Sequence, residues 1–350
     1  MTMRERMLAV INGREHDRVP FVHYNGMESS EDVWELIGRE NIGLLTWCSA
    51  FRTESPNCSM ESEEYVSNGR RTVKTILHTP AGDLWEEKQF DPVLNTAATR
   101  KHFVQEPEDY HALISYIADT CVFPDYETVM QVVADLGDDG LPHTAMPRSP
   151  FQRMWVEFVC IEDLCLHMVD YTELVNECMD LLTKQYHQVA EIMGGVDVPH
   201  ISIPDNITAP VIGERYFRQY CLPCYEYLAD VMDGKNIPLI AHMDGDLKPL
   251  WGAISESRLG GIESLSPPPD NDTTVKEAVE MWPWMKIWVN FPSSVHLASE
   301  QVIYSTAMQI LEEGGHTGRL QIQVSENVPP GLWRKSYFQI VKAVADFGKP

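Results

Sequence analysis

Positive charge is scarce in this chain: 27 lysines and arginines stand against 52 aspartates and glutamates, a formal net charge of −25 over 350 residues. That balance argues against nucleic acid or an anionic membrane surface as partner, and no run of basic residues along the sequence offsets it. Long apolar runs are missing too. None reaches the roughly 18 residues that a membrane span needs, and the opening MTMRERMLAVINGREHDRVP interleaves charge with a short apolar stretch, unlike a secretory leader. The 8 cysteines form no paired CxxC arrays, which excludes a structural zinc module. The one CxxC, Cys221 to Cys224, reads as two buried thiols on a helix, and the cysteine usage as a whole fits a reduced cytoplasm. Neither GxGxxG nor GxxxxGK[ST] occurs, so the phosphate-cradling nucleotide folds lose their main support.

What is present is a folded globular chain, with 44% hydrophobic and 9% aromatic residues. Arg4 to Asn12 reads as an amphipathic helix stopped by Gly13, Val19 to Tyr24 as a strand, and Asp32 to Ile37 as a second helix ending near Gly38. RRTVKTILHTPAGDLWEEKQF alternates around a turn and predicts an antiparallel hairpin. From about residue 106 helix-length segments alternate with short apolar strands. EPEDYHALISYIADT predicts a helix, MQVVADLG a strand and its exit, and IEDLCLHMVDYTELVNECMDLLTKQYHQVAEIM long helical text. PHISIPDN, IPLIAHMDGD, GIESLSPPPD, MKIWVNFP and GRLQIQVSEN are then five strand candidates, each closing on polar residues. Parallel strands buried on both faces and joined by long crossovers make an α/β fold, and polar exits in series favour a closed (β/α)8 TIM barrel over an open doubly wound sheet. The expected architecture is one domain, 1–350, with a helical and β-hairpin elaboration over 1–105 and the main barrel repeats over 106–350.

The strand exits hold the candidate chemistry. His242 and Asp244 in LIAHMDGDLKP follow an apolar strand, with Gly245 allowing a close backbone turn, and Glu326, with Asn327 beside it, occupies the exit of the last strand. Imidazole and two carboxylates suit zinc or another divalent metal with one open position, so His242, Asp244 and Glu326 are the expected metal ligands; hydrogen-bonding and capping roles are the alternatives. Asp205, Asn290 and His296 are candidates for proton transfer or substrate orientation, and Asn206 and Glu263 for substrate binding. Tyr24 and Trp47 would form the apolar wall of the pocket.

These residues carry a family resemblance. The opening RERMLAVINGREHDRVPF, the stretch PHISIPDNITAPVIGERYFRQYCLPCYEYLADVMDGKNIPLIAHMDGD and the subsequent GGIESLSPPPD resemble the uroporphyrinogen decarboxylase superfamily, closest in character to its corrinoid and coenzyme M methyltransferase-like members. The resemblance implies a (β/α)8 barrel that hosts either decarboxylation without a cofactor or zinc-assisted methyl transfer. In the methyltransferase branch a His-x-Cys pair and a later Cys fall on His242, Asp244 and Glu326, so the histidine is kept and both thiolates become carboxylates. In an O-demethylase branch, two glutamates fall near Asn206 and Cys221, and neither is Glu here. The decarboxylase proper has an arginine-rich N-terminal loop, where GLLTWCSAFRTESPNCSMESEEY has only Arg52. The leading expectation is transfer of a methyl group from a small methoxylated or methylated donor to a corrinoid carried by a separate protein. Metal-independent decarboxylation of a small acid and a non-catalytic small-molecule-binding barrel are the alternatives. A homodimer is compatible with the composition.

Overall fold

The computed structural model describes residues 1–27, 32–94, 96–326 and 328–350. They divide into two compact units, one of Met1–Ala50, Tyr126–Met146 and Val196–Pro350, the other of Phe51–Asp125 and Pro147–Gly195.

The first unit is an eight-stranded parallel barrel. Its strands in chain order are Phe21–Tyr24, Gly43–Cys48, Gly140–Thr144, Ile201–Ile203, Leu239–His242, Gly261–Leu265, Lys286–Asn290 and Leu320–Val324, with the eighth pairing the first. The third and fourth are joined through the residue pair Ala145 and Ser202, with the Met146 N–H donating to the Ser202 carbonyl at 2.8 Å. All five late strand candidates are strands in the barrel, because each is a short run, buried along all or nearly all of its length and too brief for a helix. Two expectations need correction. The first two barrel strands lie within 1–50, so 1–105 is only partly an elaboration and the added segment enters after strand two. MQVVADLG is not a strand but part of the helix Tyr126–Leu136, whose Val129 and Leu136, seven residues apart, are buried on one face; the strand is the next segment, Gly140–Thr144.

The helix Met3–Asn12 closes the N-terminal end of the barrel. Thr2 and Glu5 form a reciprocal capping box at its start, and Gly13 ends it in the left-handed conformation at φ 61°. Met3, Met7 and Ile11 recur every four residues along one face and pack with Val22, Leu45, Leu141, Ile240 and Trp288 inside the barrel. This places an apolar floor beneath the polar strand ends.

The second unit contains a four-stranded antiparallel meander, Ser59–Ser67, Arg70–Thr79, Gly82–Phe90 and Ala97–Lys101, whose central pair is the hairpin read from the sequence. A two-stranded sheet of Phe51–Glu54 and Cys121–Pro124 and the helices Asp109–Asp119, Ile161–Asp170 and Thr172–Met193 complete it. Gln185 donates to the Ile117 carbonyl at 2.7 Å, and the Tyr110 hydroxyl bonds His167 at 3.1 Å, tying these helices together. Among the described residues no helix is long and apolar enough to cross a membrane.

Met7 is fully buried in the floor. Met7→Ala should lower the unfolding free energy by about 2–4 kcal/mol in urea titrations; a loss well under about 1 kcal/mol would show that the helix does not support the barrel.

Candidate active site

Parallel pairing sets which polar residues meet. Val22 and Tyr24 are interior residues of strand one, and the register of strands five and six puts His242 beside Glu263. Glu263 is fully buried, and both of its oxygens are engaged. Oε2 lies 2.5 Å from His242 Nδ1, while Oε1 accepts from the Tyr24 hydroxyl and from the Gln323 amide. The other face of the imidazole, Nε2, lies 3.4 Å from Asp244 Oδ2, which also accepts from Asn206 Nδ2 at 3.0 Å. The result is a continuous interior chain, Tyr24–Glu263–His242–Asp244–Asn206, drawn from the ends of four strands.

Its electrostatics follow from burial and pairing. Burial disfavours charge on His242, but the negative charge of Glu263 and the hydrogen bonds to Asp244 and Glu263 outweigh it and lift the imidazole to about 10. Burial likewise opposes ionisation of Glu263, yet the charge and hydrogen bond of His242 pull it down to about 2. Asp244 is also lowered, against its burial, by His242 and Asn206, and Tyr24 is pushed well up by burial and the neighbouring Glu263 charge. At neutral pH the site is therefore an imidazolium held between two carboxylates beside a neutral phenol.

Local backbone geometry serves this arrangement. Asn206, just past strand four, and Ser264, inside strand six where its pairing with strand seven shifts register, sit at φ 50° and 61°, a left-handed region that costs a non-glycine residue of order 1 kcal/mol. Gly245 fits where it is because a Cβ there would come 2.1 Å from the Thr208 Cβ. The close approach expected of it is real, and its cause is contact with a neighbouring loop.

The remaining candidates are placed as follows. Asp205 is fully buried and accepts from the Tyr225 hydroxyl at 2.7 Å. Asn290 donates to Ser266 Oγ at 3.2 Å and accepts from the Ser325 N–H at 3.1 Å, holding two strand ends together. His296 is buried against Phe291 and Tyr337, with ring centroids 5.0 and 6.1 Å away, and burial holds it down at about 4. Trp47 is partly exposed and lies edge-on to Tyr24 and to His143, at 5.3 and 4.3 Å between centroids. Glu326 is exposed and accepts from Ser293 Oγ at 2.5 Å, so the carboxylate at His242 Nδ1 is that of Glu263. Asn327 lies outside the described residues. Among those described, no group of three or more His, Cys, Asp and Glu is arranged to hold a metal ion, so the His242, Asp244 and Glu326 set is not assembled as a ligand shell. In the CLPC pair both cysteines are buried and neither forms a disulfide, and burial pushes the Cys224 thiol up, in agreement with packing rather than redox use.

Two histidines carry no signal in the sequence. His143 and His200 are fully buried, and His143 Nδ1 lies 2.9 Å from His200 Nε2. Burial lowers both, His143 to about 4, so they are neutral and share a single proton across that contact. His143 is hidden by the misplaced third strand. His200 precedes its strand, where a search of strand exits does not look.

An eight-stranded parallel barrel with an apolar floor and an interior acid–base chain at its strand ends defines a (β/α)8-barrel protein of the kind that places its chemistry at the C-terminal face. The family model described as "Uroporphyrinogen decarboxylase (URO-D)" matches residues 126–346, and the chain belongs to this family. No curated protein sequence gives a significant match. Among solved structures, a methyltransferase from Methanosarcina mazei is similar at 14% identity, covering 99% of each chain with a TM-score of 0.58, which establishes the shared fold. A B12-independent methionine synthase from Shewanella sp. W3-18-1 is a more distant likeness, at 12% identity, 74% and 73% coverage and a TM-score of 0.44.

The buried pair makes stability depend on pH with a defined sign. Glu263, lowered from 4.5 to about 2, contributes stability that is present above 4.5 and lost as the pH falls through 2. His242, raised from 6.5 to about 10, contributes stability that is present below 6.5 and lost as the pH rises through 10. The melting-temperature gap between the parent and Glu263→Gln should thus be widest between pH 4.5 and 6.5 and should narrow toward 2 and toward 10. A gap independent of pH would show that the pair is not ionised in the fold.

Proposed function

We propose that the chain is a methyltransferase that binds a small methoxylated or methylated donor at the polar strand ends and places the His242 proton on the heteroatom that gives up its methyl group. The carrying observation is the position of His242: buried, clamped by Glu263 on Nδ1 and facing Asp244 across a longer contact on Nε2. The longer contact makes Nε2 the nitrogen that turns to substrate. A C–O bond to a methyl group breaks readily only if the departing oxygen does not leave as a free anion, and a positioned acid typically contributes about 10²–10⁴-fold. An imidazolium at about 10 matches a phenol-like leaving oxygen in acid strength. The bond from methyl carbon to oxygen breaks, the oxygen takes the His242 proton, and neutral His242 regains a proton from solvent. Glu263 and Asp244 keep the ring charged and oriented in the ground state, and Tyr24 and Gln323 keep Glu263 from rotating away.

A corrinoid on a separate protein would supply the electron pair that accepts the methyl group. The M. mazei methyltransferase, similar along its whole length, supports this reaction class. A second reading is favoured by the family match: in metal-independent decarboxylation the same proton would go to the carbon that loses carbon dioxide.

The deciding experiment offers a panel of methoxyarenes, methylamines and methyl thioethers with free reduced cobalamin as acceptor, and in parallel small carboxylic acids with carbon dioxide detection. Methyl transfer is expected, falling about 10²-fold or more in His242→Gln with little change in KM. Carbon dioxide release without methyl transfer would establish the lyase instead. Metal analysis provides the second check. Stoichiometric zinc in the parent that is lost in His242→Ala would put a Lewis acid at this position and overturn the proton-donor role.

A further inference from the structure

Away from the strand exits, the fold assembles something the sequence does not display as a patch. The loop after the N-terminal helix, the turn before the eighth barrel strand and the segment after the last helix together line a cavity of about 330 Å³. Its polar lining is Arg14, Glu15, His16, His316, Thr317 and Lys349, four basic or imidazole side chains against one carboxylate in a chain of net charge −25. The single carboxylate is already used: Glu15 accepts from Lys349 Nζ at 2.9 Å. Among the described residues the Arg14 and His316 side chains have no hydrogen-bond, ion-pair or ring partner, although carboxylates outnumber cations about two to one in this protein.

His16 supplies an independent observation. It is only 4% exposed; its Nδ1 lies 3.1 Å from the Arg14 carbonyl, and its Nε2 is buried with no partner among the described residues. A carbonyl only accepts, so Nδ1 carries the hydrogen, and Nε2 in the neutral ring is a lone pair without a donor. Leaving such a group buried and unpaired is destabilising, because its contact with water is lost and not replaced. A hydrogen-bearing oxygen of a ligand in the cavity, such as that of hydrogen phosphate, would give this nitrogen a partner.

We propose that this cavity binds a phosphate-type dianion, with Arg14 as the forked donor, Lys349 as a further cation, the Thr317 hydroxyl as a neutral donor, and the unpartnered Nε2 of His16 and the His316 ring completing the polar lining. Arg14 suits the role because a guanidinium presents two parallel N–H groups to two oxygens of one tetrahedral anion. The volume, at the lower end of the range for small-molecule sites, accommodates a small phosphate monoester as well as the free ion. The site is independent of the interior His242 chain, so it stands or falls separately from the methyl-transfer reading.

Titration calorimetry on the full chain with sulfate, inorganic phosphate and glycerol 3-phosphate tests it. Hydrogen phosphate carries a hydrogen that sulfate lacks, so at pH 8 phosphate should bind more tightly than sulfate, and His16→Phe should narrow that difference. Arg14→Ser and Lys349→Ser should each weaken binding roughly tenfold, whereas Arg218→Ser, which removes a surface arginine paired with Glu256 elsewhere, should leave it unchanged. Tighter binding of glycerol 3-phosphate than of phosphate would identify an esterified phosphate as the ligand, and the reverse order a free ion. The proposal fails if none of the three anions binds at millimolar concentration, or if the Arg14→Ser/Lys349→Ser double variant binds them as the parent does.

Discussion

A carboxylate with no exposure to solvent needs a charge beside it, and much of the interior of this barrel depends on how Glu263 obtains one. Its partner His242 is itself buried, so neither ion is stabilised by water and each depends on the other and on hydrogen bonds to its remaining atoms. Tyr24 and Gln323 complete the shell of Glu263, and Asp244, steadied by Asn206, completes that of His242. Removing any one leaves a desolvated charge with one contact fewer. Such a set is costly to assemble, which explains why it is built on strand ends over a closed apolar floor and why two neighbouring residues accept left-handed backbone.

The barrel and the inserted segment solve different problems with different patterns. Barrel strands are buried on both faces along most of their length and read as short apolar runs, distinguished from one another by the polar residues at their exits. In the second unit the meander strands alternate, and Lys74 and Lys101 lie over the Trp85 ring at 4.6 and 3.8 Å. A change of grammar along a chain therefore marks an insertion more reliably than the place where the barrel text first becomes regular: the first two barrel strands precede the insertion.

How much of the site is legible in the sequence differs from residue to residue. His242, Asp244, Glu263, Asn206 and Tyr24 all stand out, because a polar residue ending an apolar strand is conspicuous. Their partnerships do not. Glu326 matches His242 by its place after the last strand, yet strand five pairs strand six, and register alone brings Glu263 within reach. His296 stands beyond a turn that carries it behind the barrel wall to Phe291 and Tyr337. Gln323 has the inward parity of strand eight, but amides within a strand carry no signal comparable to a terminal carboxylate. The basic cavity is invisible for a simpler reason: residues 14 to 16, 316 to 318 and 349 are far apart in sequence and are gathered only by barrel closure.

That closure is uneven around the circumference. Between most neighbours three or more residue pairs share the ladder, whereas strands three and four, the latter only three residues long, meet through Ala145 and Ser202. His143, on strand three, and His200, just ahead of strand four, each stand two residues before that pair, and their shared proton bridges the two imidazoles at 2.9 Å. The side chains thus stitch the seam where the main chain holds it least. In two neutral rings this contact uses one hydrogen and one lone pair, which leaves one lone pair and one hydrogen on the outer nitrogens, His143 Nε2 and His200 Nδ1, both buried with no hydrogen-bond partner among the described residues. Reversing the bond would need a proton to enter at one outer nitrogen and leave at the other, and neither has a described neighbour to supply or take it, so the seam keeps one direction and the barrel wall a fixed polarity.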